Sequence, residues 1–357
     1  MKLSQVKVTR RDAVVGGVVA AAAVAGGVAF GVSQVPGGGG SGASGASGDG
    51  AAADADATQG DDGTVEGGVV ETAGKMTLYT SCADTLVNAF ITGFEEKTGV
   101  AVDVRLMTCA EWQAALAADV ARGVATADVV WGGDRSCYEG LAGLATPQKV
   151  CREACAIVLS RELGEKVRKG ITGYATLAAA GLAGQVCMAD PAADEDGFLQ
   201  LVGLLCAGDK TAAAAGKLGT DAQWAYAQGF ATACGLKILA SGADVQDALI
   251  GGAAAAALMP EQQAHELAKL TDMVDVVLPE EGSLVVPTYM ARVAGCTNAD
   301  QVAAWFDYVC GEEGQKAAAQ ATYLRPVEEG AALHDGMTAD DDLAALAVPD
   351  DALVSSR

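Results

Sequence analysis

Four short polar stretches carry groups able to grip a small solute. They are Thr80-Ser81-Cys82 with Asp84 close behind, Thr108-Cys109, Gly132-Gly133-Asp134 followed by Arg135, and Asp190-Pro191 running through Ala192, Ala193, Asp194, Glu195 and Asp196 to Gly197. Hydroxyls, carboxylates and backbone N–H groups opened by glycine supply hydrogen bonds and charge without a nucleophile. No Ser/His/Asp set, phosphate-binding loop or HExxH pattern accompanies them, so binding without turnover is expected, with no catalytic residue and no cofactor. The carboxylates of Asp194, Glu195 and Asp196 would repel an anion and suit an amine or other cation. At a helix start they could equally complement the helix dipole from the solvent side.

The elements that position these stretches follow from periodicity. Met76 to Thr80 reads as a short buried strand, and Asp84 can cap a helix whose Leu86, Val87, Phe90, Ile91 and Phe94 recur at helical spacing until Gly99 ends it. Val100 to Met107 is strand-like. Glu111 to Arg122 is helical, with Trp112, Leu116 and Val120 on one face, and Ala127 to Trp131 is the next strand. This βαβαβ order predicts a parallel sheet flanked by helices, with ligand groups gathered where the strands end. Cys155 to Leu159 reads as a strand crossing into a second lobe. There, strands at Gln185–Ala189, Ala254–Met259 and Val274–Leu278 alternate with helices at Gly197–Cys206, Gln223–Cys234, Val245–Ile250 and Glu261–Leu270. The chain returns through Leu284 to Val293 into a helix capped by Asn298, with Val302, Trp305, Phe306 and Val309 facing inward.

Composition bounds the partners. The 357 residues are 51% hydrophobic but only 5% aromatic, which disfavours an oligosaccharide ligand that would need ring stacking. A net charge of −23 with no cluster of Lys and Arg argues against nucleic acid. Much of the acidity lies outside the elements above, at Asp49, Asp54, Asp56, Asp61, Asp62, Glu66 and Glu71 and again at Asp335, Asp340, Asp341, Asp342, Asp350 and Asp351. Both stretches read as solvated flanks. At the amino terminus Lys2, Lys7, Arg10 and Arg11 precede an apolar run from Ala13 to Val32, an export signal in which Thr9-Arg10-Arg11-Asp12-Ala13-Val14-Val15 resembles the twin-arginine type. No cysteine precedes Cys82, and the run is long enough to stay in a bilayer, so cleavage and a retained anchor are both open.

These readings divide the chain into a signal or anchor (1–35), a disordered Gly/Ser/Ala/Asp linker (36–72), the first part of lobe 1 (73–153), lobe 2 (154–283), a return to lobe 1 with C-terminal helices (284–334) and an acidic disordered tail (335–357). A monomer is expected.

Several phrases occur in an order resembling a known family. They are Lys75-Met-Thr-Leu-Tyr-Thr-Ser81, Phe94-Glu-Glu-Lys-Thr-Gly-Val100, Ala127-Asp-Val-Val-Trp-Gly-Gly-Asp134, Val186-Cys-Met-Ala-Asp-Pro191, Val277-Leu-Pro-Glu-Glu-Gly-Ser283, and Gly311-Glu-Glu-Gly-Gln315 with Arg325-Pro326. Over about Lys75 to Val327 they resemble bacterial solute-binding proteins of ABC importers, of the iron(III), thiamine and 2-aminoethylphosphonate type. The resemblance implies a type 2 periplasmic-binding-protein fold, α/β, with two lobes of mainly parallel sheet flanked by helices and joined by crossing strands. It implies capture of a small polar solute in the interlobe cleft and delivery to an ABC permease, with the twin-arginine translocase as partner during export. A ligand-sensing subunit of a membrane signalling protein and a cysteine-ligated metal-binding or redox protein are the alternatives. The ligand-lining set is Thr80, Ser81, Cys82, Thr108, Gly132, Gly133, Asp134, Asp190, Asp194, Asp196 and Gly197. Glu261, where relatives carry polar cleft residues, joins it as a second candidate for a cationic group.

The chain departs from the family in three places. Relatives that hold anions place Ser, Thr and Gly after Asp-Pro, where this chain has acids. The stretch from Asp134 to Cys155 is short, and the paired tyrosines of ferric members are missing, since Tyr174, Tyr226, Tyr289 and Tyr323 are scattered. His265, inside a helix, and His334, in the tail, read as solvated. Ten cysteines in an exported chain point first to disulfides. Cys187, Cys206, Cys234 and Cys310 fall on apolar elements as buried thiols, and Cys151-x-x-x-Cys155 is not a CxxC. Cys82, Cys109 and Cys137 should converge at the cleft mouth, where a Cys82–Cys109 disulfide, plain packing and a soft-metal site remain open.

Overall fold

The computed structural model describes residues 74–354. The signal or anchor and the linker read from the sequence lie outside the described residues. In chain order the elements are β1 (Lys75–Thr80), α1 (Asp84–Thr98), β2 (Ala101–Leu106), α2 (Cys109–Arg122), β3 (Val129–Trp131), a 3₁₀ turn (Arg135–Cys137), β4 (Gln148–Ser160), α3 (Glu165–Lys169), α4 (Tyr174–Ala179), β5 (Val186–Ala189), α5 (Glu195–Gly208), α6 (Lys210–Ala214), α7 (Asp221–Cys234), β6 (Lys237–Leu239), α8 (Gly242–Ile250), β7 (Ala256–Pro260), α9 (Glu261–Thr271), β8 (Val274–Val277), β9 (Ser283–Arg292), α10 (Ala299–Val309), α11 (Glu312–Ala321), β10 (Arg325–Pro326), a second 3₁₀ turn (Asp340–Asp342), β11 (Ala345–Leu346) and α12 (Asp350–Val354). Among the described residues no helix is long and apolar enough to cross a membrane.

The strands run in the order β2-β1-β3-β9-β4-β7-β5-β6. On one side β1 pairs in parallel with both β2 and β3, and on the other β5 pairs in parallel with β6 and β7. Two long antiparallel strands join these halves. The first half of β4 pairs with β9, and its second half, from Cys155, pairs with β7 and β8. β4 therefore begins seven residues before the strand expected at Cys155, because its first half belongs to lobe 1.

Each half has its own core. In lobe 1, Phe90, Phe94, Trp131 and Trp305 pack edge to face behind Met76 and Leu78, with Phe94 and Trp305 centroids 5.0 Å apart. In lobe 2, Ile157, Leu159, Leu201, Leu205, Phe230 and Leu258 fill the space between sheet and helices. The helices start and stop where short-range chemistry dictates. Gly99, at φ 70°, closes α1 in the left-handed conformation that glycine takes without steric penalty. Thr108 and Glu111 form a reciprocal capping box on α2.

Three local expectations are corrected. Asp84 does not cap α1, since Ala83 holds that position without a side-chain bond and Asp84 stands in the first turn. Val120 is 48% exposed. The buried position on α2 is taken instead by Asp119, whose carboxylate accepts from the Thr126 backbone at 2.9 Å. Asn298 makes no side-chain cap on α10, because its Nδ2 donates to Asp128 at 3.0 Å.

The acidic segment from 335 onward, expected to be a disordered tail, is folded onto the body. Asp340 accepts from Arg152 at 2.7 Å and from Arg325 at 3.0 Å, Asp350 accepts from Tyr289 at 2.8 Å and pairs with Lys149 at 2.9 Å, and β11 pairs with the start of β9. Leu346 and Leu353 pack with Phe198, Leu199, Val202 and Leu284. The acidic residues meet specific basic partners, and two leucines provide the apolar anchor that composition alone concealed.

Candidate functional site

The ends of β1, β2 and β3 and the loop before α5 face one another across the junction of the two halves. Between them lies a cavity of about 260 Å³. Lobe 1 lines it with Thr80, Ser81, Cys82, Asp84, Met107, Thr108 and Cys109, and lobe 2 with Asp194, Glu195 and Asp196. A smaller space of about 40 Å³ adjoins it deeper in, lined by Ser81, Gly133, Cys151, Arg152, Glu153, Glu195, Asp196, Gln262, Gln263 and Thr288 among others.

Of the residues expected to line the cleft, Thr80, Ser81, Cys82, Thr108, Asp194 and Asp196 face the larger cavity, and Gly133 faces the smaller. The other five face neither. Gly132 donates its N–H to the Tyr289 carbonyl at 2.9 Å and accepts from the Tyr138 hydroxyl, and at φ 123° a Cβ there would lie 2.1 Å from Ser81 Oγ. Asp134, 1% exposed, caps the 3₁₀ turn through the Ser136 N–H at 2.6 Å. Asp190 holds its own turn by accepting from the Ala192 N–H at 2.9 Å. Gly197 is needed for close packing, as a Cβ would come within 2.5 Å of the Ala189 carbonyl. Glu261 is occupied by Arg325, which donates to it through Nε at 2.5 Å and Nη2 at 2.8 Å, with both side chains 1% exposed. Burial opposes the charge on Glu261, but hydrogen bonds from His265 and Arg325 outweigh it and hold the carboxyl below the ordinary glutamate range. Glu261 is thus no ligand for a solute cation.

The acidic loop does two jobs at once. Asp194 caps α5 through the Gly197 N–H at 3.0 Å and reaches the Gly242 N–H at 3.1 Å, while Asp196 accepts from Gln263 Nε2 at 2.7 Å. These bonds fix both carboxylates facing the cleft. Periodicity did not disclose Glu153, which stands on β4 beside the smaller cavity. Burial, followed by repulsion from Asp196 and Asp194, lifts its carboxyl to about 8. Burial and the neighbouring Asp194 lift Asp196 to about 7, against the Gln263 hydrogen bond. Glu153 had no local signal, because one acid on a strand that leaves one lobe for another looks like any solvent-facing position.

All ten cysteines lie among the described residues and none is disulfide-bonded in this structure. Burial, with repulsion from Cys151 second, raises the Cys82 thiol well above its ordinary value, so Cys82 sits in the cleft as a neutral group. Cys187, Cys206 and Cys234 are buried as expected, whereas Cys310 is exposed. The two histidines flank Tyr323 and are not simply solvated, with the His265 ring stacked 4.9 Å from it and His334 4.2 Å away.

Two α/β halves joined by two crossing strands enclose a polar cavity at their junction. The family signature of bacterial extracellular solute-binding proteins matches residues 157–345, and the chain belongs to that family. No curated protein matches its sequence. Among solved structures it is similar to the periplasmic binding protein AfuA from Actinobacillus pleuropneumoniae, solved with fructose-6-phosphate (TM-score 0.65, 16% identity, 80% of this chain and 94% of that one). It is also similar to iron-bound HitA from Pseudomonas aeruginosa (TM-score 0.61, 17% identity, 79% and 95%) and to the ferric binding protein from Campylobacter jejuni (TM-score 0.59, 16% identity, 79% and 95%). The fold is thus the two-lobed type of periplasmic binding proteins, and the family is that of the bacterial extracellular solute-binding proteins.

Proposed function

We propose that this protein captures a small polar solute bearing an ammonium or other cationic group and hands it to an ABC permease without chemical turnover. The observation that carries this reading is the charge lining the two cavities. Asp84, Glu153, Asp194, Glu195 and Asp196 face them against a single basic residue, Arg152, whose guanidinium is engaged by Asp340 at 2.7 Å. The N-termini of α1, α2 and α5 also open toward the cleft and favour anions, each with roughly half an elementary charge. Three such ends sum to about +1.5, less than the formal charge of five carboxylates even with some of them protonated. The cleft is therefore acidic on balance.

Calorimetric titration of the purified body against matched ammonium, neutral and phosphate-bearing solutes tests the reading. The ammonium series is expected to bind, and Asp194→Asn with Glu195→Gln and Asp196→Asn to weaken it at least tenfold, about 1.4 kcal/mol. Tighter phosphate binding by the triple variant, with ammonium affinity intact, would mean the acids serve only the helix start. For export we propose the twin-arginine route, with the protein acting as a monomer outside the cytoplasm. Arg10→Lys with Arg11→Lys should abolish export, because a paired guanidinium is not replaced by ammonium. Continued appearance of that variant outside the cytoplasm would point to the general secretory route.

A further inference from the structure

At the wall of the main cavity, two cysteines of one lobe meet a carboxylate of the other. Cys109 opens α2, Cys137 ends the 3₁₀ turn after Gly133, and Glu195 lies in the first turn of α5. Their Sγ, Sγ and carboxylate oxygen atoms all lie within 4.8 Å of one another, and Cys137 Sγ is 3.5 Å from Glu195 Oε1. A tetrahedral ion bound at about 2.3 Å by sulfur and about 2.1 Å by oxygen would set its ligand atoms roughly 3.5–3.8 Å apart, so small side-chain shifts complete the cage. The backbone makes room for it. Gly133, at φ 73°, turns a bare Cα toward both sulfurs, where a Cβ would lie 2.5 Å from Cys137 Sγ and 2.7 Å from Cys109 Sγ. Gln113 Nε2 holds the Cys137 carbonyl at 2.7 Å and so fixes the 3₁₀ turn.

We propose that Cys109, Cys137 and Glu195 form a binding site for a thiophilic divalent cation of the zinc class, clasped between the two lobes. Two sulfurs and one carboxylate select a borderline or soft ion over calcium or magnesium, which prefer oxygen. Three protein ligands leave a fourth position, and Ser81 Oγ, 3.3 Å from Cys109 Sγ, stands beside it at the cavity wall. Because Cys109 and Cys137 come from lobe 1 and Glu195 from lobe 2, the full ligand set exists only when the lobes are together. The inference rests on this cleft being the capture site and not on the charge of the organic solute.

The test is titration of the reduced, chelator-treated body with cadmium, read by the ultraviolet thiolate-to-metal band, followed by zinc competition with a chromogenic chelator. One ion per chain is expected. Cys109→Ser and Cys137→Ser should each lower affinity at least tenfold, while Cys296→Ser and Cys310→Ser leave it unchanged. Glu195→Gln should weaken binding yet keep the thiolate band, and small-angle scattering should show cadmium compacting the parent but not this variant. Absence of the band, its persistence in the double serine variant, equal compaction of Glu195→Gln, or a Cys109–Cys137 disulfide mapped in the exported protein would each overturn the site. Calorimetry with ammonium solutes in excess EDTA reads the organic solute separately, so failure of either proposal is visible without the other.

Discussion

Glu153 is the residue whose charge state the cleft controls most directly. Its neighbours are Asp194 and Asp196 on lobe 2 and Arg152 beside it on β4, and the guanidinium of Arg152 is already engaged by Asp340. An acid lifted to about 8 is largely protonated at pH 6 and ionised at pH 9, so affinity for a cationic solute should rise with pH across that window. The stability of the empty protein follows the opposite trend. It should fall as pH rises from the ordinary glutamate value toward 8, since the native state holds a proton that the unfolded chain has released. Calorimetry at pH 6, 7.5 and 9 should show the increase, and Glu153→Gln should flatten it. A profile equally steep in that variant would move the titration to another group. Rising salt should weaken the remaining attraction only at the solvated mouth, where screening operates.

At the scale of elements, the contact between α9 and β10 illustrates what a linear reading reaches. The helix beginning at Glu261 was legible from its spacing, but its first residue was assigned to a ligand because Arg325 lies 64 positions away and nothing local announces the pair. Likewise the alternation of strands and helices was visible, since buried faces impose periods of 2 and 3.6. The crossing strand was found only over its fully apolar half, because Gln148, Lys149, Arg152 and Glu153 mask the pattern before Cys155. The folded acidic segment was missed for the same reason, as Asp340 and Asp350 owe their order to Arg152, Arg325, Lys149 and Tyr289, all distant in sequence from at least one partner.

Two expectations belong to these elements. Glu261→Gln leaves the buried Arg325 with Asp340 as its one remaining countercharge and should cost up to about 3 kcal/mol, read as a drop in the urea midpoint at pH 7. Because both Glu261 and Asp340 are held below their ordinary values, the stability they contribute is present above the unfolded carboxylate range and is lost as pH falls through their native values. The parent and Glu261→Gln should therefore converge in acid. Ending the chain after His334 should expose the cluster covered by Leu346 and Leu353, each worth about 1.5–3 kcal/mol, and lower the melting temperature by many degrees. A truncated protein that melts like the parent would show that this segment only rests on the surface.

For the whole molecule, two cores and a shared pair of strands place every described apolar cluster at or beyond Met76. Deleting residues 1–71 should thus leave the thermal transition unchanged, and loss of several degrees would assign the preceding stretch a part in the body. The buried Arg325–Glu261 pair also has a mechanical meaning. Arg325 sits on the strand paired with Arg152 in lobe 1, and Glu261 follows the strand whose Pro260 pairs with Cys155, so the pair lies beside the point where β4 passes between the lobes. Atoms near a rotation axis sweep the shortest arcs. Were the lobes to rotate about that point, the ion pair would stay engaged while Asp84, Thr108 and Ala193 on the cavity wall moved apart. In such a rotation the connectivity would act as a lever, since the buried bond sits beside the crossing strand and the cavity wall lies away from it.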